Sequence, residues 1–194
     1  MNKLENMITS DLRAKIHPED VSIAIRLTAT DCQGRWPRAC IMFGQDLVFD
    51  GEVNTEKLIE FNKQDLSEDS YTLSIRIYGK TNKDTVVDSA GDIVENMSLH
   101  IDQFVLNGVD IVKNKFIYEG HYVMDLSDEK RSYFKSQDLN SELRDYHFYE
   151  NGLWKISVDM PVVKNIILKK RRLETFETIP YHDTMLEIAS KLKL

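Results

Sequence analysis

Cysteine is scarce: the 194-residue chain has two, Cys32 and Cys40. A disulfide framework needs more, so free thiols in a reducing compartment are the default, although a bridge across the loop Gln33 to Arg38 is geometrically open. No CxxC pair and no His/Cys cluster at zinc-site spacing is present. Four prolines and eight glycines are too few for a collagenous or low-complexity chain. No window approaches the ~20 apolar residues of a transmembrane helix. Met1 to His17 breaks its apolar residues with Lys3, Glu5, Asp11 and Arg13, so export by a signal peptide is not expected. Nor is there a GxSxG elbow, a phosphate loop or an HExxH pair. The five histidines, His17, His100, His121, His147 and His182, are scattered. The chain reads as a non-enzyme. Basic charge is also short: the net charge of −7 would repel nucleic acid and anionic lipid, so neither is an expected partner. Lys169-Lys170-Arg171-Arg172 is the exception, and it reads as a solvated basic turn.

What remains is an ordinary globular composition, 42% apolar and 29% charged, in a chain of one-domain size. Such a chain buries roughly 70% of its unfolded surface and needs neither metal nor disulfide to hold a core. Leu4, Ile8 and Leu12 suggest a short N-terminal helix ended by Pro18. The period then becomes two. Val21, Ile23, Ile25, Leu27 and Ala29 predict a strand with one buried face, as do Ala39, Ile41 and Phe43, and then Tyr71, Leu73, Ile75 and Ile77. Turn residues separate the runs at Gln33-Gly34, Asp46, Asp50-Gly51, Ser67 to Ser70 and Asn82 to Asp84. Leu99, Ile101, Phe104 and Leu106 slip phase after Asp102, which predicts a β-bulge. Asn107-Gly108 predicts a tight hairpin into Val109 and Ile111.

These signals predict a mainly β protein, an antiparallel, jelly-roll-like β-sandwich with a short helix at each end. Residues 20–112 could form a complete two-sheet core. Residues 113–150 have no clean period and many aromatics, Tyr122, Tyr133, Phe134, Tyr146, Phe148 and Tyr149 among them, and read as a long excursion over the sandwich. Trp154, Ile156, Val158 and Met160 resume a strand, with Trp154 in the core, and Val162 to Leu168 reads as another. Thr184 to Glu187 has the form of a capping box before a C-terminal helix. The organisation is a helical arm at 1–18, a sandwich at 19–168, and a basic turn plus helix at 169–194.

The order of Ile23 to Leu27, Gly34-Arg35-Trp36-Pro37, Ser74 to Tyr78, Asn82-Lys83-Asp84 and Glu95 to Val109 resembles the calcium-dependent, xylan-binding type of carbohydrate-binding module over about residues 22–112. The resemblance implies calcium as a cofactor, held by Asp84, Asp88, Asp92 and Glu95, since calcium needs six to eight oxygens. It also implies a surface glycan as a partner, met by Trp36, Tyr78 and Asn82. The family's acidic-basic-Asn triplet stands here as Asn96-Met97-Ser98, without the acid unless Glu95 replaces it. Asn151-Gly152-Leu153-Trp154 followed by Pro161 is similar to a segment of uncharacterised virion proteins of tailed phages. That similarity implies a structural part of a virion, a tail, neck or capsid component assembled in the host cytoplasm, partnered by itself or by other virion subunits.

Overall fold

The computed structural model describes residues 19–162 and 164–168; the expected helical arm at 1–18 and the basic turn and helix at 169–194 lie outside the described residues. Five long strands come first: β1 (Glu19–Thr30), β2 (Arg38–Phe43), β3 (Asp46–Glu52), β4 (Glu56–Leu66) and β5 (Ser70–Tyr78). The small hairpin β6 (Thr85–Val87) and β7 (Ile93–Asn96) follows, then β8 (Ser98–Leu106) and β9 (Val109–Asp110). The excursion contains β10 (His121–Met124), α1 (Asp128–Ser136), β11 (Glu142–Leu143) and β12 (His147–Phe148), before β13 (Gly152–Asp159).

One sheet runs β12-β8-β1-β4, with β9 also on β8, and the second runs β11-β10-β13-β5-β2-β3. All the described pairings are antiparallel. Their inward faces share one core: Ile23, Ile25, Leu27, Leu99, Ile101 and Phe104 from the first, Ile41, Phe43, Leu73, Ile75, Trp154 and Ile156 from the second. Each fully buried aliphatic there contributes about 1.5–3 kcal/mol. The protein is mainly β, with a sandwich-like core formed by alternating residues.

The local expectations at Asp102 and Asn107 hold. Arg26 pairs with Gln103 while Leu27 pairs with Ile101, so Asp102 is the extra residue that keeps Ile101 and Phe104 both inward. Asn107 and Gly108 both take positive φ, 45° and 79°, as a two-residue β8–β9 turn demands.

Four expectations need correction. Asp50-Gly51 is not a turn but part of β3, paired with Cys40 and Ala39; the chain reverses earlier, at Gly44. Val162 to Leu168 is not a strand: residues 162 and 164–168 are helical. Val162 and Ile166, four apart, face the core, and Pro161 at the head of the turn has no N–H to forfeit. Residues 20–112 do not complete two sheets, because β5 takes its second partner from β13. The segment 113–150 is not merely laid over the sandwich: β10 and β11 extend the second sheet, and β12 extends the first.

Candidate functional site

Four connections meet at the end of the sandwich where β1 finishes. The β1–β2 turn closes as Cys32 and Arg35 exchange backbone hydrogen bonds of 3.0 Å, with Gln33 and Gly34 at positive φ. The Arg35 guanidinium reaches across to Asp84 at 2.8 Å and to the Thr81 hydroxyl at 3.3 Å. Asp84 is 1% exposed, and its other oxygen accepts from the Thr81 amide at 2.6 Å and the Thr81 hydroxyl at 2.8 Å. Thr81 and Asp84 thus cap one turn of 3-10 helix at Asn82–Asp84, and the Asp84 carbonyl accepts from the Met97 amide at 2.9 Å.

Lys80 fastens the remaining connections. Its ammonium donates to the Met97 carbonyl at 3.0 Å, the Tyr149 carbonyl at 2.6 Å and the Asn96 side chain. The Asn151 amide grips the Lys80 backbone from both sides, at 3.0 and 2.8 Å. Burial lowers the Lys80 pKa, and Glu150 opposes the shift. Cys32 is buried with its sulfur 3.9 Å from a Glu95 oxygen; lost solvation and then Glu95 raise its pKa, which makes it a poor nucleophile. Both cysteines are free.

The acids that the resemblance assigns to calcium lie along one hairpin but are not drawn together. Asp84 is committed to Arg35 and Thr81. Asp88 closes the β6–β7 turn, accepting from Ala90 at 2.8 Å and Asp92 at 3.0 Å, while Asp92 and Glu95 are exposed. Among the described residues no group of three or more His, Cys, Asp or Glu could hold a metal ion. Of the residues assigned to a glycan, two are already engaged. Trp36 packs half-buried against the core. Tyr78 does sit on the outer face of its sheet, but its hydroxyl donates to Asp50 and the Arg38 guanidinium covers its ring at 5.2 Å. Asn82 is exposed on the capped turn.

Two features escaped the sequence reading. Lys80 and Asn151 form the polar fastening, and no motif announces them. The β6–β7 hairpin stands apart from both main sheets and exposes Val87, Ile93 and Val94, at 55%, 63% and 58%. The β-branched pairs Val86-Val87 and Ile93-Val94, either side of the turn residues Asp88 to Asp92, were its signal. In comparison with known proteins, no family model, no curated sequence and no solved structure matches the chain. No helix among the described residues is long and apolar enough to cross a membrane.

Proposed function

We propose that the protein is a non-enzymatic assembly protein, a structural component of a virus particle built on a jelly-roll-like sandwich, which meets itself or other virion subunits through the β6–β7 hairpin. The hairpin carries this reading. A lone two-stranded hairpin is marginal in water, and this one adds three exposed β-branched apolar residues and strand edges unpaired among the described residues. Such an edge invites a partner. Exposed Tyr118, Tyr133 and Tyr149 in the excursion supply more of the surface that suits alternate wetting and burial. Glycan binding is the weaker reading, because Trp36 and Tyr78 are already held by the core, Asp50 and Arg38.

The test is analytical ultracentrifugation at high concentration and recovery of the chain from assembled particles, for the wild type and for Val87→Lys/Ile93→Glu, an opposite-charge pair across the hairpin. Both positions are exposed, so the variant should keep its melting temperature and lose association. A wild-type chain that stays monomeric and joins no particle component defeats the reading, and so does an unimpaired variant.

A further inference from the structure

The strand β12 is two residues long and meets the edge of the first sheet at two pairs, His147 with His100 and Phe148 with Leu99. The Ile101 amide adds a hydrogen bond to the Tyr146 carbonyl at 3.0 Å. Phe148 turns inward, 1% exposed, with its ring 4.8 Å from that of Tyr122. Neighbours along a strand point to opposite faces, so His100 and His147 lie together on the outer face. Their imidazoles stack there with centroids 5.2 Å apart and planes inclined by 24°.

Each ring keeps a nitrogen lone pair that no described residue uses. Asp145 sets the His147 ring. One Asp145 oxygen accepts from the Tyr146 amide at 2.7 Å and the His147 amide at 3.1 Å, and it lies 3.3 Å from His147 Nδ1. An ionised carboxylate only accepts, so Nδ1 carries the proton and Nε2 is left as an acceptor. A carboxylate behind the ring in this way orients histidines that ligate metals. The His100 ring is half-buried and makes no hydrogen bond to any described residue.

Two neutral imidazoles facing each other across a strand pair form a bidentate nitrogen donor set. Nitrogen donors suit zinc, copper and nickel, whereas calcium and magnesium take oxygens. Zinc binds imidazole nitrogen at about 2.0–2.1 Å, which sets two ligand nitrogens roughly 3.4 Å apart on a tetrahedral ion. Tilting two rings with centroids 5.2 Å apart closes to that spacing. No third side chain joins them among the described residues, so water fills the other positions and the site is open.

We propose that His100 and His147 form a two-histidine site for a divalent transition-metal ion of the zinc type, which clips β12 to β8. The two residues stand 47 positions apart in the chain, and a metal clip restrains most where the loop it closes is long. The clip is independent of the hairpin reading, because it fastens the chain to itself on the outer face of the first sheet.

Hydrogen exchange at the Ile101 amide tests it, read by NMR on the full chain after removal of metal with EDTA. This N–H is bonded to the Tyr146 carbonyl, next to the site. Millimolar zinc chloride should slow its exchange about tenfold, as binding to the closed state alone requires. Millimolar calcium chloride should leave it unchanged. His100→Asn and His147→Asn should each abolish the zinc effect, and Asp145→Asn should weaken zinc binding about 10–100-fold. All three positions are partly exposed, so the variants should keep the fold. Wild-type exchange at Ile101 that is unchanged by zinc overturns the proposal. So does a zinc effect that survives either histidine substitution, because the metal is then held elsewhere, or an equal effect of calcium.

Discussion

Gly120 sits where the strand β10 begins, against the indole of Trp154. A methyl group built on it would lie 2.4 Å from Trp154 Cε2 and Cζ2 and 2.5 Å from Nε1. Ordinary contact between such atoms is about 3.5–4.0 Å, so Gly120→Ala is short of room by roughly 1 Å or more. The indole has no easy retreat: it is 0% exposed and edge-on to Phe104 at 6.5 Å. The backbone adds no strain, because φ −69° and ψ 145° at Gly120 suit any residue. The cost is therefore steric, about 1–3 kcal/mol for an overpacked core. At 2–4 °C per kcal/mol for a chain of this size, melting should fall by about 2–12 °C. Trp154→Phe removes Cζ2 and Nε1, so Gly120→Ala should cost much less in that background, with a coupling of about 1 kcal/mol or more. Thermal melts of the four proteins decide it. Strict additivity, or a Gly120→Ala variant melting within about 1 °C of wild type, would refute the steric argument.

Ile75→Asp places an unpaired charge at a position 0% exposed and should unfold the domain, so a soluble variant with unchanged circular dichroism and melting point would reject the core assignment. Lys80→Met leaves the Met97 and Tyr149 carbonyls without their donor and should cost about 2 kcal/mol, roughly 4–8 °C in melting temperature; an unchanged melt would mean that Lys80 fastens nothing. His100 stacks on His147 across the β8–β12 pair at 5.2 Å, and burial and then His147 lower its pKa below the usual value of 6.5. With a folded pKa below the unfolded one, its contribution to stability is present above about pH 6.5 and is lost as pH falls through the folded value. Melting curves from pH 8 to pH 5 should show His100→Asn losing less stability than wild type across that interval, and parallel curves would contradict the assignment.

The sequence made the interior strands plain and the edges obscure. In β1, β5 and β8 a core on one side and solvent on the other impose a period of two, and even the phase slip at Asp102 could be read as a bulge. β4 was missed because it lies at a sheet edge. Ile59 faces the core beside β1, but Lys57 and Lys63 hold other positions of that face, and Leu58 is exposed, so no alternation survives. β10, β11 and β12 are two to four residues long and borrow their order from neighbours far away in the chain, which leaves no local period to see. The acidic positions of the hairpin were visible, but their partners were not. Which oxygens Arg35, Thr81 and the turn amides claim depends on contacts between residues that the sequence sets up to 49 positions apart, as Arg35 and Asp84 are.

The pairing of β5 with β13 fixes the order in which the protein can be completed. Residues 70–77 lie against residues 152–159, so one flank of β5 has no mate until the last of these leaves the ribosome. At about 5–20 residues per second, the interval between the two strands lasts roughly 4–15 s. Throughout it the nascent chain presents Leu73, Ile75 and Ile77 on a strand with one bare flank, beside a β2 that is already available. Neighbouring nascent chains on one message are then the nearest competitors for that flank. A chain cut before Gly152 would keep the bare flank permanently, and would aggregate through β5 rather than behave as a smaller domain.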